Sequence, residues 1–294
     1  MKILFAINNL GGIAGGAEKV LSIVSSELSY RGHEVLIITF DNKKKPFYDF
    51  GNKVEYIKIE DKRQILTNKF FLFIVRSWIL RKKILSIKPD IVVGFMHSIY
   101  IILALSLIGT GINLIASEHI VPEYYINRKL EYFLINLSSF FIKRITVVSH
   151  QVKNKFSYFI RRKMVVIPNP IVIPKLSSNN KYSKSQLQIL SIGRLTKQKD
   201  HATLIKAFSS VLNKFPEWKL IIIGEGPLRF DLEKLVKDLK ISDKVSLPGL
   251  SKNIEKFYIK SDIFVIPSRF ESFGLVTAEA MSYSLPVIGF SDCI

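Results

Sequence analysis

Short runs of β-branched and aromatic residues alternate with longer amphipathic runs along almost the whole chain, the pattern of βα units around parallel sheets. The apolar runs predict one series of strands at 2–7, 34–40, 54–59, 91–95, 114–116 and 145–148. A second series follows at 188–192, 219–223, 244–247, 263–266 and 286–288. Between them, Ile167-Pro168-Asn169-Pro170 leads on to Pro174 and a polar stretch from Ser177 to Ser185, where proline and low hydrophobicity stop any helix. The expected fold class is α/β, with two Rossmann-like parallel-sheet domains. The first spans 1–173, a linker 174–186, and the second 187–294. The second domain reads as incomplete, because its last predicted strand closes shortly before Ile294.

In open parallel sheets, ligands collect beyond the carboxyl ends of the strands, so the residues just after each strand carry the chemistry. They are Asn8 to Gly16, His97, Glu118-His119, Gly193-Arg194, Gly224-Glu225-Gly226 and Pro267 to Glu271. Two such edges turned towards each other would enclose a cleft.

Composition narrows the setting. A chain of 294 residues, 48% hydrophobic, can bury a substantial core. The single cysteine, Cys293, excludes an intramolecular disulfide framework and fits a reducing, cytoplasmic compartment. Residues 1–7 read as a buried first strand and not as a signal peptide. The apolar stretch 99–108 is shorter than the ~20 residues that span a bilayer.

The net charge of +19 is gathered in Lys43-Lys44-Lys45, Arg81-Lys82-Lys83, Lys143-Arg144 and Arg161-Arg162-Lys163, which implies an anionic partner. No nucleic-acid recognition signature accompanies it, and an anionic membrane surface explains it at least as well. The helical stretch Phe70 to Leu80, ending in Arg81-Lys82-Lys83, can lie in such an interface or face the core with a solvated basic end.

Three segments carry candidate chemistry. Gly11 to Gly16 followed by Ala17-Glu18-Lys19-Val20 lets backbone N–H groups approach a phosphate at a helix N-terminus. Its spacing is neither the dinucleotide fingerprint nor the P-loop, and a plain βα turn is the competing reading. Gly193-Arg194-Leu195-Thr196-Lys197-Gln198-Lys199-Asp200 sets two cations after a strand, with Asp200 available to cap the next helix. Arg194 can grip phosphate oxygens bidentately and Lys199 can act as a point charge, against a reading as surface ion pairs. In Pro267 to Met281, Glu271 projects from a loop and Glu279 from the helix that follows, with the N–H groups near Gly274 and Leu275 facing an anion. Both carboxylates are strong acceptors for sugar hydroxyls, and helix-capping acids are the alternative. No D-x-D triplet occurs, so no metal site is expected and the chemistry of these segments reads as metal-independent.

Taken together, Gly15-Gly16-Ala17-Glu18, Ser117-Glu118-His119, Ile167-Pro168-Asn169-Pro170, Gly193-Arg194-Leu195 with Gln198-Lys199, Gly224-Glu225-Gly226-Pro227, and Glu271 with Glu279 resemble the family 4 glycosyltransferases of the GT-B fold. The resemblance implies a retaining transferase that moves a sugar from a nucleotide diphosphate to a polysaccharide or lipid-linked glycan, peripheral on the inner face of the cell membrane. Gly15 and Gly16 would face the diphosphate, held also by Arg194 and Lys199. Glu271 would bind donor-sugar hydroxyls, Glu279 the ribose, and His119 would sit beside the reacting sugar. Gly193, Gly224, Phe273, Gly274 and Leu275 complete the donor-binding set. No cofactor is implied; the nucleotide sugar, by family habit a uridine diphosphate sugar, is the substrate. His97 either lines the acceptor side or bonds locally, and His33, His150 and His201 read as structural. Beside an active transferase stand an inactive shortened remnant or sugar-nucleotide-binding subunit, and an epimerase or phosphorylase on the same fold.

Overall fold

The computed structural model describes residues 1–12, 14–40, 45–59, 69–125, 128–174, 187–291 and 293, with only the backbone of 69 and 70. Lys43 and Lys44 of the first basic cluster, and the linker beyond residue 174, lie outside the described residues. The chain divides into two compact units, Met1–Pro170 and Ile171–Ile294.

The first unit runs β1 (Lys2–Ile7), α1 (Gly16–Tyr30), β2 (Glu34–Thr39), β3 (Glu55–Lys58), α2 (Lys69–Ile87), β4 (Ile91–Phe95), α3 (His97–Ser106), β5 (Asn113–Glu118), α4 (Lys129–Ser138), β6 (Arg144–Val147), α5 (His150–Lys155), α6 (Tyr158–Arg161) and β7 (Met164–Val166). Its strands form one parallel sheet, ordered β3-β2-β1-β4-β5-β6-β7. Strands covered on both faces read as continuous apolar runs, and β1 accordingly buries Ile3 to Ile7 without a break.

The three-residue edge strand β7 escapes the sequence pattern, squeezed between Arg161-Arg162-Lys163 and Pro168 at a length too short for periodicity to register. Strand β5 also outruns its expected end at Ala116. Its ladder continues through the polar Ser117 and Glu118, the latter opposite Val147.

Helix α2 resolves its two readings by having both faces. Leu80 and Ile84 are fully buried, and Ser77 Oγ meets Ser106 Oγ of α3 at 3.1 Å, while Phe71, Ile74 and Trp78 face solvent. Among the described residues, no helix is long and apolar enough to cross a membrane.

The second unit runs β8 (Leu187–Ile192), α7 (His201–Leu212), β9 (Trp218–Ile223), α8 (Arg229–Asp238), β10 (Val245–Gly249), α9 (Glu255–Lys260), β11 (Ile263–Ile266), α10 (Leu275–Ser282) and β12 (Val287–Gly289). All strand pairs are parallel, ordered β10-β9-β8-β11-β12. Successive residues point to opposite faces: Leu220 and Ile222 of β9 pack with Leu204, Ile205 and Phe208 of α7, while Ile223 packs with Tyr258 and Ala280.

In each sheet the strand order reverses once, between β1 and β4 and between β8 and β11. Reversal splays the two following loops to opposite faces and leaves a crevice between them. The loops after β8 and β11 carry the Arg194–Lys199 and Glu271 motifs, and those after β1 and β4 carry the glycine loop and His97.

Candidate active site

In the second unit the two reversal-point loops are stitched together. Arg269 donates its backbone N–H to the Gln198 carbonyl at 2.8 Å, and Gln198 Nε2 donates to the Phe270 carbonyl at 2.9 Å. Lys199 Nζ forms a short ion pair with Glu271 Oε1, both side chains largely withdrawn from solvent. The Glu271 N–H donates to the Cys293 carbonyl at 2.6 Å, so the segment after β12 also holds this loop. Arg194 is exposed and makes no ion pair among the described residues, which leaves its guanidinium available to an anion.

Asp200 departs from its expected role. It stands at the start of α7, but its backbone is left-handed (φ 44°) and its side chain caps nothing; Oδ2 instead accepts from Arg269 Nε at 3.2 Å. A capping side chain needs extended backbone to reach the first N–H groups of the helix.

Two glycines are required sterically. Any Cβ on Gly224, at φ 153°, would run into the Gly193 carbonyl, because the loops after β8 and β9 are pinned by the Gly193 N–H to Ile223 O bond at 3.0 Å. Gly274 opens α10 at φ 68°, a conformation that L side chains rarely adopt. Phe273 is half-buried beside it, and Leu275 supplies the first helical residue.

Glu279 lies buried one turn into α10, where Tyr258 donates to its Oε2 at 3.0 Å. Among the described residues of this unit, three buried polar atoms have no hydrogen-bond partner: Ser268 Oγ, Thr277 Oγ1 and His201 Nδ1. Groups of this kind need a partner to offset their desolvation, and a bound polar ligand supplies one. Burial holds the His201 imidazole down to about 4, so it is neutral at physiological pH.

In the first unit Gly15 caps α1 with extended backbone, and the Glu18 carboxylate folds back over it, leaving no room for a Cβ. The helix N-terminus expected to meet phosphate therefore already faces a carboxylate of its own first turn.

Glu118, 1% exposed, accepts from Tyr100 OH at 2.5 Å, from the backbone N–H groups of His119 and Ile120 at 3.0 Å, and from Tyr125 OH at 3.4 Å. Burial nevertheless pushes its carboxyl up to about 7. His119 stacks on Phe95 at 5.2 Å and shares a 2.9 Å hydrogen bond between Nε2 and Ser117 Oγ; burial holds it down to about 4, neutral at physiological pH. His97 bonds locally, with Nδ1 2.8 Å from Tyr125 OH.

The residues that sequence reasoning missed are the partners: Arg269 behind Lys199 and Glu271, Tyr258 behind Glu279, and Tyr100 and Tyr125 behind Glu118; Gln198 stood in the motif without a role. Among the described residues no three His, Cys, Asp or Glu side chains converge as a metal-binding group.

Residues 14–173 match the family described as Glycosyltransferase Family 4, and residues 173–294 that described as Glycosyl transferases group 1. The chain is a family 4 glycosyltransferase.

Among relatives of this transferase, a Campylobacter jejuni α-1,4-N-acetyl-D-galactosaminyltransferase, named for a GalNAc-containing diphospho-undecaprenol substrate, is 30% identical over 287 residues, covering 97% of this chain and 78% of its own. An Erwinia amylovora amylovoran biosynthesis glycosyltransferase is 27% identical over 301 residues, covering 99% and 81%. Sucrose-phosphate synthase from Thermosynechococcus elongatus superimposes with a TM-score of 0.81 at 17% identity, covering 98% of this chain and 81% of that one. Anabaena HepE in complex with UDP and glucose gives 0.78 at 18%, covering 98% and 80%. Two parallel-sheet α/β units of this kind are the GT-B fold.

Proposed function

We propose that this transferase moves a hexosyl or N-acetylhexosaminyl group from a uridine diphosphate sugar to a lipid-linked glycan at the cytoplasmic face of the membrane, retaining anomeric configuration and using no metal. The observation that carries the reading is the Lys199–Glu271 pair at the reversal point of the second sheet, on a loop that also carries Arg194, exposed and without an ion pair among the described residues. Two cations there suit a departing diphosphate, and preorganised charge at a leaving group is a large part of such catalysis.

In this reading the bond from the anomeric carbon to the diphosphate oxygen breaks while the acceptor hydroxyl oxygen attacks on the same face. The acceptor proton passes to the departing phosphate oxygen. Arg194 and Lys199 stabilise the developing negative charge. Glu271 holds Lys199 in place and accepts from a sugar hydroxyl; Glu279, steadied by Tyr258, accepts from the ribose.

Support for the donor comes from HepE, whose structure holds UDP and glucose, and for the acceptor from the Campylobacter relative, whose name specifies an undecaprenol-linked glycan. The test is calorimetric titration with uridine, guanosine and adenosine diphosphate sugars, then transfer to a polyprenyl-diphosphate glycan in the presence of a chelator. Selective uridine diphosphate sugar binding and an α-linked product from an α-linked donor are expected. Inverted product, or transfer abolished by the chelator, overturns the corresponding part of the proposal.

A further inference from the structure

Arg229 opens α8, where a cation faces the positive end of the helix dipole and no side chain caps the helix. The position is unfavourable for the helix, so the reason for it lies in what the guanidinium grips. Nε and Nη2 donate to Glu225 as a fork, 2.8 Å from Oε2 and 2.6 Å from Oε1. Nη1 donates to Glu233 Oε1 at 2.6 Å and to the Leu247 carbonyl at 3.1 Å. One side chain thus joins the loop after β9, the first turns of α8 and the end of β10. The Arg229 guanidinium in turn holds the Glu225 carboxyl below its ordinary value, so the fork stays charged at physiological pH.

The gripped residue is bonded to the loop that carries Arg194. The Glu225 carbonyl accepts the Leu195 N–H at 3.0 Å, and the Leu195 carbonyl accepts the Leu228 N–H at 3.1 Å. On the other side of Arg194, the Gly193 N–H donates to the Ile223 carbonyl at 3.0 Å. The loops are pressed close: a Cβ on Gly226 would run into the Leu195 carbonyl, and one on Gly249 would stand 2.8 Å from Glu225 Oε1. Arg194 itself is exposed and makes no ion pair among the described residues, so the bonds of its two neighbours fix where its backbone stands.

A single surface ion pair contributes little, because solvent screens it and two long side chains lose freedom. Here the guanidinium is planar and preorganised, two of its bonds run in parallel to one carboxylate, and another reaches a main-chain carbonyl. A lysine would supply the charge without the fork.

We infer that Arg229 is a positioning residue for the transfer reaction. By gripping Glu225 it fixes the loop after β9, and through the main-chain bond from Leu195 to Glu225 it sets where Arg194 presents its charge. The consequence for transfer rests on the role proposed above for Arg194 at the departing diphosphate; the clamp itself does not.

The test compares Arg229→Gln, Arg229→Lys and Glu225→Gln with the parent chain, by hydrogen exchange and by calorimetric titration with inorganic diphosphate. Exchange of the Leu195 amide is expected to quicken at least about fivefold in Arg229→Gln, with the amides of α10 unchanged. Arg229→Lys should behave as Arg229→Gln does. Glu225→Gln keeps the main-chain carbonyl and one acceptor oxygen, and should show the same effect in milder form. Diphosphate binding is expected to weaken about fivefold in Arg229→Gln, and no further when that change is added to Arg194→Ala.

An unchanged Leu195 exchange rate overturns the inference, and so does full retention of the parent's behaviour by Arg229→Lys. Equal weakening of diphosphate binding in the Arg194→Ala background also overturns it, because a merely structural residue acts without regard to Arg194. If Arg229→Gln loses its thermal transition, Glu225→Gln decides the same two comparisons. A parent chain that binds no diphosphate would remove the role proposed for Arg194, and the exchange comparison would still decide the clamp.

Discussion

Lys199 and Glu271, 72 positions apart, form an ion pair across the point where the second sheet reverses its strand order. The pair joins two loops that local sequence treats independently, and it sets a cation where a diphosphate is expected to leave. Lys199→Ala and Glu271→Ala are each expected to lower kcat by about 100-fold or more. Because the two act as a unit, the double variant should lose little beyond either single one. Circular dichroism should show an unchanged fold, and an unchanged rate in both single variants would exclude the site.

The buried Glu118 should make the first unit's stability depend on pH. Its carboxyl is raised from 4.5 to about 7, so the folded chain binds more protons than the unfolded one between those values. The group therefore contributes most below about pH 4.5, and its contribution is lost as pH rises towards 7. Glu118→Gln removes this dependence while leaving an acceptor for the two backbone N–H groups. Glu118→Ala leaves Tyr100 and those N–H groups unpaired and should cost about 3 kcal/mol in chemical denaturation.

His201 acts with the opposite sign. Its imidazole, lowered by burial from 6.5 to about 4, resists protonation in the folded state, so stability is lost as pH falls through that window. The loss should be on the order of 3 kcal/mol for the second unit. Hydrogen exchange at α7, compared at pH 7 and pH 4.5, should show faster opening at the lower pH. His201→Gln should flatten the difference.

Gly224→Ala places a methyl group against the Gly193 carbonyl and should separate the loops after β8 and β9. Donor affinity and thermal midpoint are both expected to fall, the first by tenfold or more. Gly32→Ala is the control, because Gly32 has a positive φ of 87° but nothing near its Cβ position; backbone strain alone should cost about 1 kcal/mol there and spare donor binding.

Tyr258→Phe removes the hydroxyl that holds Glu279 and also its 3.3 Å contact to the Val276 carbonyl, and keeps the ring. The donor KM should rise about fivefold with kcat little changed, as for a contact equally strong in ground and transition states. A fall in kcat with constant KM would place Glu279 in the chemical step instead.

Much of this protein is written in local sequence. The order of strands and helices follows from runs of period 2 and 3.6, and the residues after β8 and β11 stand out because glycines, cations and carboxylates follow apolar strands there. What periodicity cannot express is pairing across distance. That Lys199 meets Glu271, that Arg269 takes Asp200 from its cap, and that Tyr258 steadies Glu279 are decided by which loops the sheet order brings side by side. Polar residues hidden the rest: Ser117 and Glu118 look like the end of a strand, yet the ladder carries them into the interior, where burial shifts the carboxyl. Helix α4 marks the same boundary most plainly. Its sequence specifies that Leu130, Phe133 and Leu137 share a face, because spacing sets angles around a helix axis. Only packing against α3 decides that this face points outward, because the direction of a face depends on what else is there to bury it.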